Sequence, residues 1–220
     1  MSIETTPLSS TPRTTLRRHR ERGQTERAAL YEVLDAGLIC HLGVVSSDGT
    51  PVVLPTAYGR AGDTLYLHGS SANGAFWAAD GQRVCVTVTH LDGLVAARSV
   101  FSHSVNYRSA VIFGTATIVQ DEDERWEALR LITDNLIPGR WAAARQPTTK
   151  EMAATAVMSV PLTEASVKIR AAGPADDDED YALDVWAGVL PISVTFGTPE
   201  PDPKLRPEIP LPAHIHDRVS

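Results

Sequence analysis

DTLYLHGSSANGAFWAADGQRVCVTVT, residues 63–89, is the stretch on which the fold turns. Apolar and polar residues alternate up to Tyr66-Leu67-His68, as in a half-buried strand, and alternate again from Arg83 to Thr89. Between them, Gly69-Ser70-Ser71 leads into a short helix. A glycine and two hydroxyls between a strand end and a helix start can offer backbone N–H groups, Ser hydroxyls and the positive end of a helix dipole to one anion, as a phosphate requires.

Working outward, Leu38 to Val45 and Pro51 to Arg60 read as strands joined at Asp48-Gly49, and a Gly62-Asp63 turn leads into Thr64 to His68. This order predicts a mainly β fold with accessory helices, built as a small antiparallel barrel. A helix containing Ala28, Leu30, Tyr31, Val33 and Leu34 precedes the barrel and ends at Gly37. Downstream, a Ser-rich connection carries Arg98, Ser99, Ser102, His103 and Ser104 before strand character returns from Tyr107 to Val119. Trp126, Leu129, Ile132 and Leu136 recur at helical spacing and mark a packing face, which Pro138-Gly139 ends. A helical turn at Thr149 to Ala154 and strands at Thr155 to Pro161, Val167 to Arg170 and Trp186 to Phe196 follow. The acidic run Asp176 to Asp180 reads as a solvated loop. The expected organisation is a tail without fixed structure over 1–12, one barrel domain over 13–198 led by a basic segment, and an extended tail over 199–220, where six prolines fall in residues 199–212.

A net charge of −7 and a pI near 5.5 argue against a general nucleic-acid surface. No apolar run approaches a membrane span, and the N-terminus has no signal-peptide core, so the expected location is the cytoplasm. Cys40 and Cys85 sit inside strand patterns as free thiols, too few for a structural zinc site. His214 and His216 form a His-x-His pair that reads as part of an exposed tail, and no metal site is expected. The chain has no G-x-G-x-x-G turn, P-loop, H-E-x-x-H pair or G-x-S-x-G elbow, so a nucleotide would have to be bound by other means.

Several further motifs accompany the opening stretch: Arg17-Arg18 before Glu21-Arg22-Gly23, LYLHGS, VTHLDGLVAARS, HSVNYRS, PGRW and VWAGVLP. With them, the chain from about Thr14 to Ala213 resembles the FMN-binding split-barrel proteins related to pyridoxamine 5'-phosphate oxidase, in the flavin-nucleotide-binding and nitroimidazole-resistance branch. The resemblance implies an antiparallel split β-barrel of the FMN-binding type. It implies a homodimer with FMN at the subunit interface, the phosphate near the strand-to-helix turn and the ring against strand backbone. The matching residues are His68, Ser70 and Ser71, the strand Val86, Thr87, Val88 and Thr89, and the motif Asn106, Tyr107, Arg108 and Ser109. The alternative for Asn106 and Tyr107 is a strand-entry hydrogen-bond network. Related proteins place a cation just after the turn glycine, whereas this chain reads Asn73-Gly74-Ala75-Phe76. Arg108, Lys168, Arg170, Arg98 or an N-terminal arginine could replace it. Trp186 either shields a flavin edge across the dimer or is a core tryptophan.

The resemblance implies an FMN-dependent oxidoreductase that passes electrons from a reduced nicotinamide to a small organic acceptor. His68 is the first acid/base candidate and His103 the second; His68 could equally cap a strand end. One alternative keeps the barrel with deazaflavin or haem, haem taking His68 or His103 as axial ligand. Another is a non-catalytic flavin carrier or ligand sensor. A barrel alone does not choose among them.

Overall fold

A computed structural model of the protein describes Pro7, Leu8 and residues 11–219. Its elements in chain order are β1 (Gly23–Gln24), α1 (Arg27–Asp35), β2 (Ile39–Val45), β3 (Pro51–Ala61), β4 (Thr64–Ser70), α2 (Gly74–Ala78), β5 (Arg83–Ala96), β6 (Ser104–Thr115), β7 (Thr117–Ile118), α3 (Glu122–Leu136), α4 (Arg140–Ala143), α5 (Thr149–Ala153), β8 (Thr155–Pro161), β9 (Glu164–Arg170), β10 (Gly188–Pro191) and α6 (Ala213–Val219). The strands form one antiparallel sheet in the order β1-β9-β6-β5-β2-β3-β4-β8-β7, with β10 added to β5. The long strand β3 passes from one half of the barrel to the other, pairing β2 through residues 51–57 and β4 through residues 58–61. This is the split barrel that the resemblance implies.

Alternation decides the core. Leu42, Leu65, Leu67, Val86, Val88, Ala110, Ile112 and Val167 point inward from successive strands and are fully buried, with Leu30, Val33 and Leu34 of α1 closing one end. Cys40 and Cys85 are free thiols, as expected, and burial pushes Cys40 up to about 12. The helix α3 lies against the outer face of β3 and β4 at Gly59, where an added Cβ would stand 2.7 Å from the Ile132 nitrogen. Glycine is required there because the opposing atoms are helix backbone and cannot move aside.

The structure departs from the expected segmentation at several points. The strand expected to end at Thr89 runs on to Ala96 through an irregularity between Leu91 and Gly93, because β6 and β10 supply partners along its second half. The last strand is short, Gly188–Pro191 rather than Trp186 to Phe196, since pairing with β5 covers only that much. In the N-terminal tail, the described residues are tied down: the Leu8 N–H donates to the Thr25 carbonyl, and Thr11 and Arg13 both donate to Glu164. Those bonds, from Arg13 first and then Thr11, hold the Glu164 carboxyl down to about 2. Residues 1–6, 9 and 10 of that tail lie outside the described residues. The C-terminal tail is not extended to its end, because the Pro212 carbonyl accepts from Ile215 and His216 and starts α6. Asp176 is not solvated as expected. Its side chain is fully shielded, accepting from the N–H groups of Arg98 and Ser99 and pairing with the Arg98 guanidinium.

Gly59→Val is expected to push α3 away from β3 and to lower stability by roughly 1–3 kcal/mol, the usual cost of overpacking. The check is the urea midpoint at unchanged m-value against the parent chain.

Candidate functional site

Alternation along β4 puts Leu65 and Leu67 in the core and Tyr66 and His68 on the face that α3 covers, where the Tyr66 hydroxyl donates to Glu124. His68 stands opposite Val157 of β8, a fully buried residue. Its Nδ1 is buried with no hydrogen-bond partner, and burial pushes the imidazole below its ordinary 6.5. At neutral pH the ring is therefore neutral, and its buried, unengaged Nδ1 is suited to meet a ligand or to move a proton at that atom.

The strand-to-helix turn beyond His68 is more closed than its composition suggests. Ser71 donates its N–H to the Ala154 carbonyl, Ala72 to the Ser70 hydroxyl and Asn73 to the Ser70 carbonyl. The Asn73 side chain caps the N–H groups of Ala75 and Phe76. Asn73 thus occupies the helix N-terminus that the sequence reading assigns to an anion. The exposed hydroxyl of Ser71 remains at this turn.

A second group lies on the outer face of the sheet, on strands separated from β4 by β3 and β2. Thr87 and Thr89 of β5 face outward, level with Val111 and Ser109 of β6. Ser109 is level with Lys168 of β9, and Tyr107 with Arg170. The side chains of Val86 and Val88 turn into the barrel core at 0% and 1% exposure, which leaves their backbone, the part that the resemblance sets against a ring, to serve a ligand. The same row continues to His41 of β2, which pairs with Thr87 and is exposed. The sequence reading passed over His41, although its outward place follows from the alternation of Cys40, Leu42 and Val44.

Most of the cations expected to replace the missing turn cation have partners within the chain. Arg108 makes a two-pronged pair with Asp92, which holds the Asp92 carboxyl below its usual range. Arg170 is buried, donating to Asn106 Oδ1 and to the carbonyls of Ala172 and Gly173, and Asn106 also accepts from the Ala172 N–H. Asn106 therefore organises the end of β9, which is the strand-entry network reading. Arg98 is held by Asp176. Burial first, and then the nearby charge of Arg22, lowers Arg170, which places Arg22 by the same strand. Lys168 reaches the Arg18 carbonyl, so the N-terminal arginines gather at the β9 edge. No ion pair of Arg17, Arg18 or Arg20 with an acidic residue occurs among the described residues.

His103 is exposed, with Nδ1 2.9 Å from the Ser99 carbonyl. Trp186 is 67% exposed and covers Gly188 at the start of β10, so it is no core tryptophan. Within one chain, no hydrogen bond or ion pair among the described residues joins the His68 group to the Lys168 group. Among the described residues, no cluster of three or more His, Cys, Asp or Glu could hold a metal ion, and no helix is long and apolar enough to cross a membrane.

The family model described as pyridoxamine 5'-phosphate oxidase matches residues 26–169. No curated protein matches the chain. The chain is similar to the flavocytochrome Anf3 from Azotobacter vinelandii, with 42% identity, a TM-score of 0.91, and coverage of 96% of this chain and 99% of the other. It is similar to the FAD and haem binding protein from Mycobacterium smegmatis at 38% identity and a TM-score of 0.85, over 90% and 97% of the two chains. A candidate 5-nitroimidazole antibiotic resistance protein from Bacteroides thetaiotaomicron shares the fold, at 21% identity and a TM-score of 0.57, over 67% and 86%.

The lowered imidazole of His68 has a signed consequence for stability. The unfolded chain binds a proton that the folded chain resists, so stability falls as pH drops through about 6.5 and stops falling below the folded value. His68→Gln is expected to shrink the loss of urea midpoint between about pH 7.5 and pH 5.5. An unchanged loss would place the titrating group elsewhere.

Proposed function

The chain belongs to the pyridoxamine 5'-phosphate oxidase family, and from that premise we propose that it is a flavin- and haem-binding oxidoreductase taking electrons from a reduced nicotinamide to a small acceptor. The observation that carries this reading is the likeness, over nearly the whole of both chains, to a flavocytochrome and to an FAD and haem binding protein. The sequence reading favours FMN as the flavin, and the Mycobacterium relative favours FAD; both present a ring and phosphate to the same kinds of group. Bound there, the flavin supplies hydride acceptance and one-electron release, and the haem supplies one-electron exchange.

The residues of this chain fit a flavin in three ways. The hydroxyls of Thr87, Thr89 and Ser109 stand in one outward row and can hold a ring edge. Lys168 and the N-terminal arginines supply positive charge beside that row, where the turn itself has none. His68 offers its unengaged Nδ1 as proton donor or acceptor, and its burial excludes water from that atom.

The two groups of site residues stand apart within one chain, and a two-fold pair would let each site draw on both protomers. The surface supports such a pair. Ile39, Val45 and Val53 on β2 and β3, Leu91, Leu94, Val105 and Leu190 on β5, β6 and β10, and Phe101 at 97% are exposed, and contiguous exposed apolar surface marks an interaction site. Leu94 pairs with both Val105 and Leu190, so the apolar row is continuous across three strands.

A second reading, a flavin carrier without turnover, is favoured by the closed turn at Asn73, where the helix N–H groups already have acceptors. The two readings separate in one cuvette. The purified protein is expected to carry a flavin absorbance that bleaches with reduced nicotinamide and returns with an added acceptor; retained flavin that never bleaches would support the carrier. His68→Ala is expected to lower turnover by roughly 10²-fold while flavin retention changes little, and equal loss of both would make His68 a binding residue. Sedimentation equilibrium is expected to give a dimer, and Leu94→Glu a monomer with weakened flavin retention.

A further inference from the structure

The C-terminal segment that the sequence presents as a plain tail encloses a cleft. After β10 the chain returns along α3 and α4, and between them lies a space of about 980 Å³, within the ~300–1,000 Å³ common for cofactor and ligand pockets. Ile137, Leu205, Ile209 and Leu211 give it apolar walls, and its charged or titratable lining groups are Arg140, Glu200, Asp202, Arg206 and His214. His214, on α6, packs against Gly139, whose φ of 77° turns the chain from α3 into α4; a Cβ there would lie 3.4 Å from the His214 Cβ. The His214 Nε2 is buried and makes no hydrogen bond. The neighbouring His216 is exposed and lies 3.6 Å from Asp217. Arg140 has no ion pair among the described residues.

An imidazole nitrogen without a partner, a guanidinium that makes no ion pair with the carboxylates of the same cleft and walls of branched aliphatic side chains are what a planar, apolar macrocycle with carboxylate arms and a central iron requires. The segment is also separable from the barrel. The family match ends at residue 169, whereas a 96% or 90% overlap with the flavocytochrome or the FAD and haem binding protein cannot be reached without much of residues 170–220.

We propose that the cleft between the C-terminal segment and the α3–α4 turn is the haem seat of this chain, with His214 Nε2 as axial ligand and Arg140 meeting a propionate. This rests on the reading that the protein takes haem, and it moves the axial role from His68 and His103 to a residue that the sequence reading leaves in an exposed tail. His68 then remains with the flavin, so the two groups do not compete for one imidazole.

The test uses the full-length chain loaded with hemin, read by its Soret and visible bands in the oxidised and dithionite-reduced states, with the flavin spectrum recorded in the same sample. The parent chain and His216→Ala are expected to show the same histidine-ligated spectrum. His214→Ala should lose that spectrum and regain it when free imidazole is added, while keeping the parent's far-ultraviolet circular dichroism and flavin. Arg140→Ala should keep the band positions and release haem to apomyoglobin faster. His214→Ala with the parent spectrum and hemin affinity would overturn the assignment, as would loss of the histidine-ligated spectrum in His68→Ala or His103→Ala alone. A parent chain that takes no hemin but keeps its flavin would remove the haem half of the functional reading and this seat with it.

Discussion

The constraint on which the rest of the structure depends is the need of one long strand for partners on both edges. β5 runs from Arg83 to Ala96, and every backbone N–H and carbonyl along it that is buried must find a partner. β6 lines one edge almost throughout, but on the other edge β2 reaches only residues 85–87. The open stretch beyond is covered at residues 93–96 by β10, which arrives from nearly a hundred residues downstream. The irregularity at Leu91 to Gly93 lies between the two coverings, and Gly93 admits the Leu190 carbonyl, which would stand 3.1 Å from an added Cβ. The barrel and the C-terminal segment are thus joined by backbone pairing rather than by a linker.

The barrel itself was legible because its strands alternate. Cys40, Leu42 and Val44, or Val84, Val86 and Val88, declare an inward face without knowledge of any partner, and the residues between them declare the outer face. What was not legible is which partner each arginine meets. Arg108 and Asp92 are 16 residues apart, Arg170 and Asn106 are 64 apart, and Arg98 and Asp176 are 78 apart. Each pairing is a product of strand register or of chain return, and no local pattern carries it. Asp176 shows the limit most clearly, since a run of acidic residues looks solvated whether or not one of them is folded beneath a turn. The same holds for His214, whose place depends on where a Pro-rich segment comes to rest.

The electrostatic picture of the site follows from these pairings. Of the cations considered for an anionic ligand, Arg108, Arg98 and Arg170 are committed to Asp92, Asp176 and the carbonyls after β9. Those pairs stiffen the strand ends around the outer face but contribute little free positive charge to it. Beside β9, Arg17, Arg18 and Arg20 of the N-terminal segment have no acidic partner among the described residues. The Thr11 and Arg13 bonds to Glu164 hold that segment against the barrel, so the position of its arginines is fixed by a carboxylate on the strand they flank.

Asp176 also settles the shape of a surface that contains no charge. Its carboxylate fastens the N–H groups of Arg98 and Ser99 at the entrance to the Val100–Ser102 turn, and the Ser99 hydroxyl accepts from the Phe101 N–H. Val100 and Phe101, at 87% and 97% exposure, are therefore held out on a braced backbone. A partner that buries the Phe101 ring meets a backbone already ordered, and the conformational entropy normally lost when a loop closes on its target has been removed during folding. A loop rich in serine thereby acts as a rigid apolar projection, its stiffness set by one shielded carboxylate from the far end of the chain.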